Sequence, residues 1–239
     1  MYVPRTNRED RPEVLAAYMQ AHPFATLVSA GPDGEPWATH LPVVVHPDRG
    51  PHGTIEGHLA RANRHHEIVR AAAAGPASAA RGLVIFTGPE AYVTPSWYPA
   101  KAEHGRVVPT WNYVAVHATG NVTLRDEPEW LLEHVGRLTD SRETARPDPW
   151  RVTDAPAEFI ATQLRAIVGF ELHIDRLEGR WKMSQNLSPE DVEGVVAGLS
   201  ASDRPMDREV AAIVRERAPD QGPSTGTRTE MAPRRSPAS

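Results

Sequence analysis

Histidine is the residue type in this sequence with the clearest capacity for chemistry. The chain has 11 histidines and no cysteine, and imidazole can transfer protons or bind metals near neutral pH. Residues 57–66, GHLARANRHH, join a predicted strand to a predicted helix. One imidazole there could ligate a metal ion or a heme while Arg61 or Arg64 holds an anionic group. A solvated polar turn is the alternative, and adjacent histidines point to different sides of a helix, so they do not easily share one metal.

Aromatic and cationic side chains surround a predicted loop at residues 95–109. The loop carries Lys101, His104 and Arg106, and its aromatic neighbours could stack on a planar cofactor while these cations meet its charged edge. The aromatic residues are Trp97, Tyr98, Trp111 and Tyr113. A barrel core and a dimer interface would explain the same aromatic residues without a cofactor.

A third polar stretch covers residues 179–188, GRWKMSQNLS. Lys182, Ser184 and Gln185 offer charge and hydrogen bonds to a phosphate or a carboxylate. The alternative is a polar connection before a helix that Ser188 caps.

Composition excludes several classes of protein. Without cysteine the chain has no disulfide, thiolate zinc site or cysteine nucleophile. No glycine-rich phosphate loop, HExxH motif or Ser-His-Asp order is present. A net charge of −5 without a long basic run makes direct DNA binding unfavourable. The apolar runs are too short for a membrane span, and no signal peptide precedes them, so a cytoplasmic protein is expected.

Hydrophobic periodicity gives the elements that position these residues. Strands are predicted where apolar residues alternate, and helices where they recur every three to four residues, the first helix being capped by Asp10. The predicted strands cover residues 24–29, 37–45, 54–59, 83–87, 91–94, 111–124 with a bend at Gly120, and 167–175. After the first helix, the predicted helices cover residues 63–74, 128–138, 157–166 and 207–217, and a further one begins after Ser188.

This pattern predicts an α+β fold, a β-barrel with helical extensions. We expect one domain over residues 1–217. Residues 218–239 contain no aromatic residue and are rich in Pro, Ser, Thr and Gly, so a disordered tail is predicted.

Six motifs resemble those of the PaiB family, and the resemblance extends over roughly residues 1 to 215. The motifs are MYVP (1–4), THLP (39–42), GHLARAN (57–63), GPEAYVTPSWY (88–98), VPTWNY (108–113) and KMSQN (182–186). The resemblance implies an FMN-binding-type split β-barrel, usually a homodimer with cofactor sites at the subunit interface. The chain departs from the commoner pattern at Arg64 and His66, where proline and tryptophan are usual.

The family contains two different functions. Some members are described as FMN-binding negative transcriptional regulators of sporulation and protease genes. Others, the piperazate synthases, are heme-dependent enzymes that close the N–N bond of L-piperazic acid from N5-hydroxy-L-ornithine. The abundance of histidine and the acidic charge favour the enzyme here.

The hypothesis of an enzyme similar to piperazate synthase gives each candidate residue a role. His65 would be the proximal ligand of heme b. Lys101, Arg106 or Lys182 would hold the substrate carboxylate, and His104 or His117 would accept the amine proton. The remaining cofactor-binding candidates are Arg61, Asn63, Trp111, Lys182, Ser184 and Gln185.

The rival hypothesis is a flavin-binding regulator. In it, Arg61, Lys182 and Ser184 surround the phosphate of FMN, and Trp111 lies near the isoalloxazine. A homodimer without a cofactor is the third possibility.

Overall fold

An antiparallel barrel forms the centre of the molecule in the computed structural model, which describes residues 1–31, 33–75 and 79–218. The strands are β1 (Arg8–Glu9), β2 (Phe24–Ala30), β3 (Pro36–His46), β4 (Thr54–Ala60), β5 (Ala80–Val93), β6 (Thr110–Arg125) and β7 (Ile167–Lys182). They run in the order β1-β7-β4-β3-β2-β5-β6, and pairing of β6 with β7 closes the barrel. The predicted α+β split barrel is confirmed.

Seven α-helices cover the barrel within the described residues. They are α1 (Pro12–Ala21), α2 (His65–Ala73), α3 (Ala100–His104), α4 (Pro128–Glu143), α5 (Ala157–Arg165), α6 (Pro189–Ser200) and α7 (Pro205–Glu216). Short 3-10 helices lie at Arg5–Asn7, Pro95–Trp97 and Val152–Asp154. None of the helices described is both long and apolar enough to cross a membrane.

Alternation of side chains fills the barrel. In β2, Ala25, Leu27 and Ser29 are buried, whereas the residues between them are partly exposed. The inward residues of the other strands, such as Val84, Val116 and Phe170, complete one continuous apolar core. Because successive side chains of a strand point to opposite faces, each strand has one core face and one outer face.

Several sequence-based boundaries need correction. The predicted cap at Asp10 is wrong: α1 follows Arg11 and begins with Pro12, whose missing N–H needs no cap. The two strands predicted at 83–87 and 91–94 form one strand, β5, with an irregular register between Thr87 and Glu90. The predicted 167–175 strand extends to Lys182, so the first residues of the third polar stretch are sheet.

Other predictions are confirmed. The register of β6 against β7 shifts between Thr119 and Gly120, at the predicted bend, where a Cβ on Gly120 would lie 1.9 Å from the His173 carbonyl oxygen. The Ser188 side chain accepts a hydrogen bond from the Asp191 amide and caps α6. The tail predicted from residue 218 lies, from residue 219 onward, outside the described residues.

Candidate functional site

A cavity of about 300 Å³ lies where the start of β6, the end of β7, the start of α6 and the segment at residues 95–108 meet. We call it the lysine cavity. It joins two of the three stretches that the sequence singled out. The side chains that give it its chemistry are Tyr98, His104, Arg106, Asn112, Lys182, Ser184, Asn186 and Asp191.

Lys182 supplies a partly buried positive charge. Its Nζ donates hydrogen bonds to the Trp111 carbonyl oxygen at 2.6 Å and to Thr110 Oγ1, both neutral acceptors. Among the described residues, no carboxylate forms an ion pair with it. Burial lowers the pKa of Lys182, and the nearby Arg180 lowers this pKa further. The ammonium group therefore has a free donor direction and no counter-ion.

Asp191 supplies a negative charge to the same cavity. The residue is buried in the first turn of α6, and its Oδ1 accepts a hydrogen bond from the Ala100 amide at 3.2 Å. Within the described part of the chain, no basic side chain pairs with it. Burial raises the pKa of the Tyr98 hydroxyl, and the charge of Asp191 raises it further.

Ser184 and Asn112 form a buried polar pair at the base of the cavity. The Asn112 amide donates to Ser184 Oγ at 2.9 Å. Ser184 is the described non-glycine residue with a left-handed backbone, at φ 63°, a conformation that costs free energy for a residue with a Cβ. Strain of this kind concentrates at functional sites.

Two glycines of α6 allow the segment at residues 95–108, which forms one wall of the cavity, to pack closely against this helix. A Cβ on Gly194 would lie 1.9 Å from the Trp97 carbonyl oxygen, and one on Gly198 would lie 2.3 Å from the Trp97 ring. Gly194 and Gly198 are one helical turn apart and so form a single notch. Because Trp97 sits in this notch, the following residues Tyr98 and Ala100 are placed against the cavity.

The predicted catalytic residues separate in the structure. His104 lines the cavity, where its Nδ1 accepts a hydrogen bond from the Arg106 amide at 3.0 Å. Lys101 lies outside the lining and donates to Ser96 Oγ at 3.3 Å. His117 lies on the outer face of β6, opposite Glu178 in the register with β7, and burial lowers the pKa of its imidazole.

The predicted cofactor-binding residues near β7 also differ in whether their side chains are free to contact a ligand. Lys182 and Ser184 face the cavity, and Trp111, 49% exposed, lies on the outer face with its ring edge against Tyr92. The Gln185 side chain forms hydrogen bonds within the fold. Its Oε1 accepts from the Met183 amide, and its Nε2 donates to the Trp181 carbonyl oxygen at 2.6 Å.

His65 occupies a second, separate cluster at the start of α2. Its side chain is 0% exposed. Ser29 Oγ lies 2.7 Å from Nε2 and Thr39 Oγ1 lies 2.8 Å from Nδ1, so both ring nitrogens have hydroxyl partners. Asn63 Nδ2 donates to the same Thr39 hydroxyl, and burial lowers the pKa of His65. An iron ligand needs one unengaged, accessible ring nitrogen, so His65 in this arrangement does not fit a heme.

The two clusters are separate. Ser29, whose hydroxyl contacts the His65 ring, pairs with Gly82 of β5, and Gly82 pairs with Gly120 of β6. The lysine cavity lies at Thr110, ten residues earlier on β6. Neither His65 nor Arg61, which forms an ion pair with Asp126, is among the residues that line the lysine cavity.

Sequence reasoning missed Asp191 and Tyr98 as site residues. Asp191 lies in the first turn of a helix, where acidic residues are common, so its sequence position did not identify it as a cavity residue. Tyr98 was grouped with the aromatic residues that stack, whereas it is buried. That no described basic side chain forms an ion pair with Asp191 is visible only in three dimensions.

Comparisons with known proteins give the family. The family model described as "Putative FMN-binding domain" matches residues 1–176. The Bacillus subtilis protein named "Protease synthase and sporulation protein PAI 2" is 28% identical over 92% of this chain and 100% of its own length. An uncharacterized Aspergillus fumigatus protein is 34% identical over 69% of this chain and 73% of its own length.

A solved structure shows the same fold. The FAD and heme binding protein from Mycobacterium smegmatis superimposes with a TM-score of 0.53, at 15% identity, over 78% of this chain and 79% of that protein. Together with the family model over most of the chain and the PAI 2 relative over nearly all of it, the closed antiparallel barrel leads to one assignment. The chain belongs to the PaiB family of proteins with an FMN-binding-type domain.

Proposed function

We propose that this chain is an enzyme that acts on a small amino acid held in the lysine cavity. The observation that carries the proposal is a pair of opposite charges, Lys182 and Asp191, that line one cavity and form an ion pair neither with each other nor with another described side chain. Each is withdrawn from water without a counter-ion, which costs free energy. A zwitterion would compensate both, with its carboxylate at Lys182 and its ammonium at Asp191.

The size of the cavity supports the same ligand class. A volume of about 300 Å³ is at the lower end of the range for small-molecule sites. It suits an amino acid better than a whole flavin or heme. Arg106 at the rim adds a second cation for the carboxylate.

The reaction that we propose is the cyclising dehydration of N5-hydroxy-L-ornithine to L-piperazic acid, which the resemblance implies for such a substrate. The bond from the α-nitrogen to N5 forms as the N5–O bond breaks. The α-ammonium loses two protons: one leaves with the hydroxyl as water, and Asp191 accepts the other. His104 is less suited to this role, because its Nδ1 lone pair already accepts the Arg106 amide hydrogen.

The cofactor in this proposal is heme b, with FMN as the alternative. The name of the M. smegmatis neighbour, an FAD and heme binding protein, supports a planar cofactor on this fold. Since His65 does not fit an iron ligand as placed, we assign no step to a heme. His65 as proximal ligand stays a prediction that requires Ser29 or Thr39 to release a ring nitrogen.

An FMN-binding negative transcriptional regulator is the second candidate function. The observation in its favour is Trp111, which is half exposed next to Lys182 and could stack on a flavin. The name of the B. subtilis relative points the same way. For either function we propose a cytoplasmic homodimer that does not bind DNA unaided, joined through the outer sheet face that includes Phe24, 68% exposed.

Binding and turnover of N5-hydroxy-L-ornithine test the enzyme directly. We expect the heme-loaded protein to form piperazic acid, detected by mass spectrometry. Lys182→Met and Asp191→Asn should each weaken substrate binding on the order of tenfold to a hundredfold, because each removes a charged hydrogen-bond partner. Lys101→Met is the matched control, since Lys101 is the other lysine of the chain and lies outside the cavity lining.

Absorbance spectra separate the two candidates. Titration with hemin should give a Soret band under the enzyme hypothesis, whereas tight FMN binding with no heme uptake would support the regulator. An unchanged Soret band in His65→Ala would exclude His65 as the iron ligand. Equal substrate affinity in Lys182→Met and Lys101→Met would refute the amino-acid site.

A further inference from the structure

Two histidines in direct contact join α4 to the outer face of the barrel. His58 on β4 places its Nδ1 3.0 Å from Nε2 of His134 on α4. The His134 side chain is 0% exposed, and its ring stacks on that of Trp130, with ring centroids 5.2 Å apart. We call His58 and His134 the histidine pair. The function proposed above uses neither of them.

The histidine pair forms a hydrogen bond only while one of the two facing nitrogens lacks a hydrogen. One nitrogen then donates and the other accepts. If both rings are protonated, two N–H groups face each other across 3.0 Å, and two positive charges repel each other in a buried setting. The contact therefore favours docking of α4 in one protonation state and opposes it in the other.

The charged groups around the histidine pair cannot neutralise a second positive charge. The buried carboxylate of Glu56 is bound by Arg49 and Arg137. The buried carboxylate of Glu171 is bound by Arg49 and Arg125. Three arginines thus share two buried carboxylates, so neither carboxylate is free to pair with an additional imidazolium.

Further ring nitrogens lie close to Glu56. His134 Nδ1 is buried without a hydrogen-bond partner, 3.7 Å from Glu56 Oε2, and His46 Nε2 lies 3.0 Å from the same oxygen. Even so, in the part of the chain that the structure describes, no group of three or more histidine and acidic side chains is arranged to hold a metal ion. The other titratable residues of α4 and of this sheet face next to the pair are exposed: His40, Glu133 and His173.

The neutral form of His58 is the one that fits the folded protein. Burial, and to a smaller extent the charge of His134, lowers the pKa of His58 from 6.5 to about 4. When α4 opens and His58 enters water, this pKa returns to about 6.5. Between these values the open form binds the proton more tightly, so opening becomes easier as the pH falls from 6.5 to 4.

We propose that protonation of the histidine pair releases α4 from the barrel in mild acid, so that the helix is held in place only near neutral pH and above. Release would uncover the outer face of β4 and β7, where α4 packs so closely that a Cβ on Gly169 would lie 2.2 Å from the Trp130 ring. This inference does not depend on the proposed function, because neither histidine of the pair lines the lysine cavity.

Hydrogen exchange of the α4 amides between pH 7 and pH 4 tests the proposal on the full-length protein. After correction for the intrinsic exchange rate at each pH, protection of α4 should fall by up to about tenfold per pH unit below pH 6.5, as expected for one linked proton. The helix α6, which packs against α7, is the internal reference and should lose less protection.

Two variants assign the effect to the histidine pair. His58→Gln keeps a side chain that can hydrogen-bond to His134 but cannot be protonated, so the fall in α4 protection should disappear. His52→Gln is the matched control, because His52 is an exposed histidine between β3 and β4, and this variant should keep the fall in full.

The proposal is overturned if α4 of the unaltered protein loses no more protection than α6 over this pH range. It is also overturned if folded His58→Gln keeps the pH dependence of the unaltered protein. Should His58→Gln not fold, NMR titration of the His58 ring protons in the unaltered protein decides the question. Titration near pH 4 would support the proposal, and titration near pH 6.5 would overturn it.

Discussion

Replacement of Gly194 by alanine tests whether α6 positions the wall of the lysine cavity. The added Cβ would lie 1.9 Å from the Trp97 carbonyl oxygen, whereas real Cβ atoms essentially never approach closer than 3.0 Å. The difference is 1.1 Å, so α6 or the segment at residues 95–104 must move by about 1 Å. The Trp97 oxygen is a backbone atom, so no flexible side chain can move aside to make room for the Cβ.

The energetic cost follows from two opposing effects. Overpacking of this kind costs about 1–3 kcal/mol, and alanine in a helix interior recovers about 1 kcal/mol relative to glycine. The net destabilisation is then about 0–2 kcal/mol. For a chain of this size, each 1 kcal/mol lowers the melting temperature by about 2–4 °C.

Gly136→Ala is the matched control for this prediction. Gly136 is also in a helix, α4, but a Cβ there meets nothing within 4 Å. This variant should gain the helix propensity alone and melt about 2–4 °C higher than the unaltered protein. Thermal denaturation followed by circular dichroism compares the two variants, and amino-acid affinity should fall only in Gly194→Ala. If Gly194→Ala melts together with Gly136→Ala and binds normally, the notch does not hold the cavity wall.

Two further predictions concern buried polar groups. Hydrogen bonds from Arg11, and contacts with Arg217, lower the pKa of Glu9 from 4.5 to about 2. The ionised Glu9 carboxylate therefore stabilises the folded protein above pH 4.5, and this stabilisation is lost as the pH falls toward 2. Glu9→Gln should reduce the loss of melting temperature between pH 5 and pH 3, and an equal loss in both proteins would contradict this assignment. Ser184→Ala should be less stable than Ser184→Gly by about 1 kcal/mol in chemical denaturation. Both variants lose the Asn112 hydrogen bond, but only glycine adopts the left-handed backbone without strain. The opposite order of stability would show that the backbone strain at Ser184 is not significant.

The barrel could be predicted from the sequence because its signals are local. Alternation in residues 24–29 and 37–45 reflects one buried face per strand, and it gives the same hairpin that the structure shows, with Ser29 opposite Trp37. The end of β7 was less predictable. Arg180 and Lys182 are too polar to indicate a strand, and they belong to one because backbone pairing with β6 does not depend on side-chain polarity.

The site was predictable only in part. His104, Lys182 and Ser184 were identified by residue type, and the fold brings them to one cavity. Neither the separation of His65 from them nor the involvement of Asp191 could be read from the sequence, since both depend on long-range strand order. Motifs of one family pattern can therefore lie in separate parts of the fold.

The late position of β7 in the chain bears on how this protein is made. β7 is the last strand, and it pairs with β1, β4 and β6, which begin at residues 8, 54 and 110. During synthesis, the open edge of β4 has no partner until residues 167–173 have left the ribosome, and the open edge of β6 is not fully paired until residue 182 has done so. Unpaired edges of this kind favour association with other chains. A ribosome that stalls between α4 and the end of β7 would therefore release an aggregation-prone intermediate, and slow, non-local closure should dominate the folding rate.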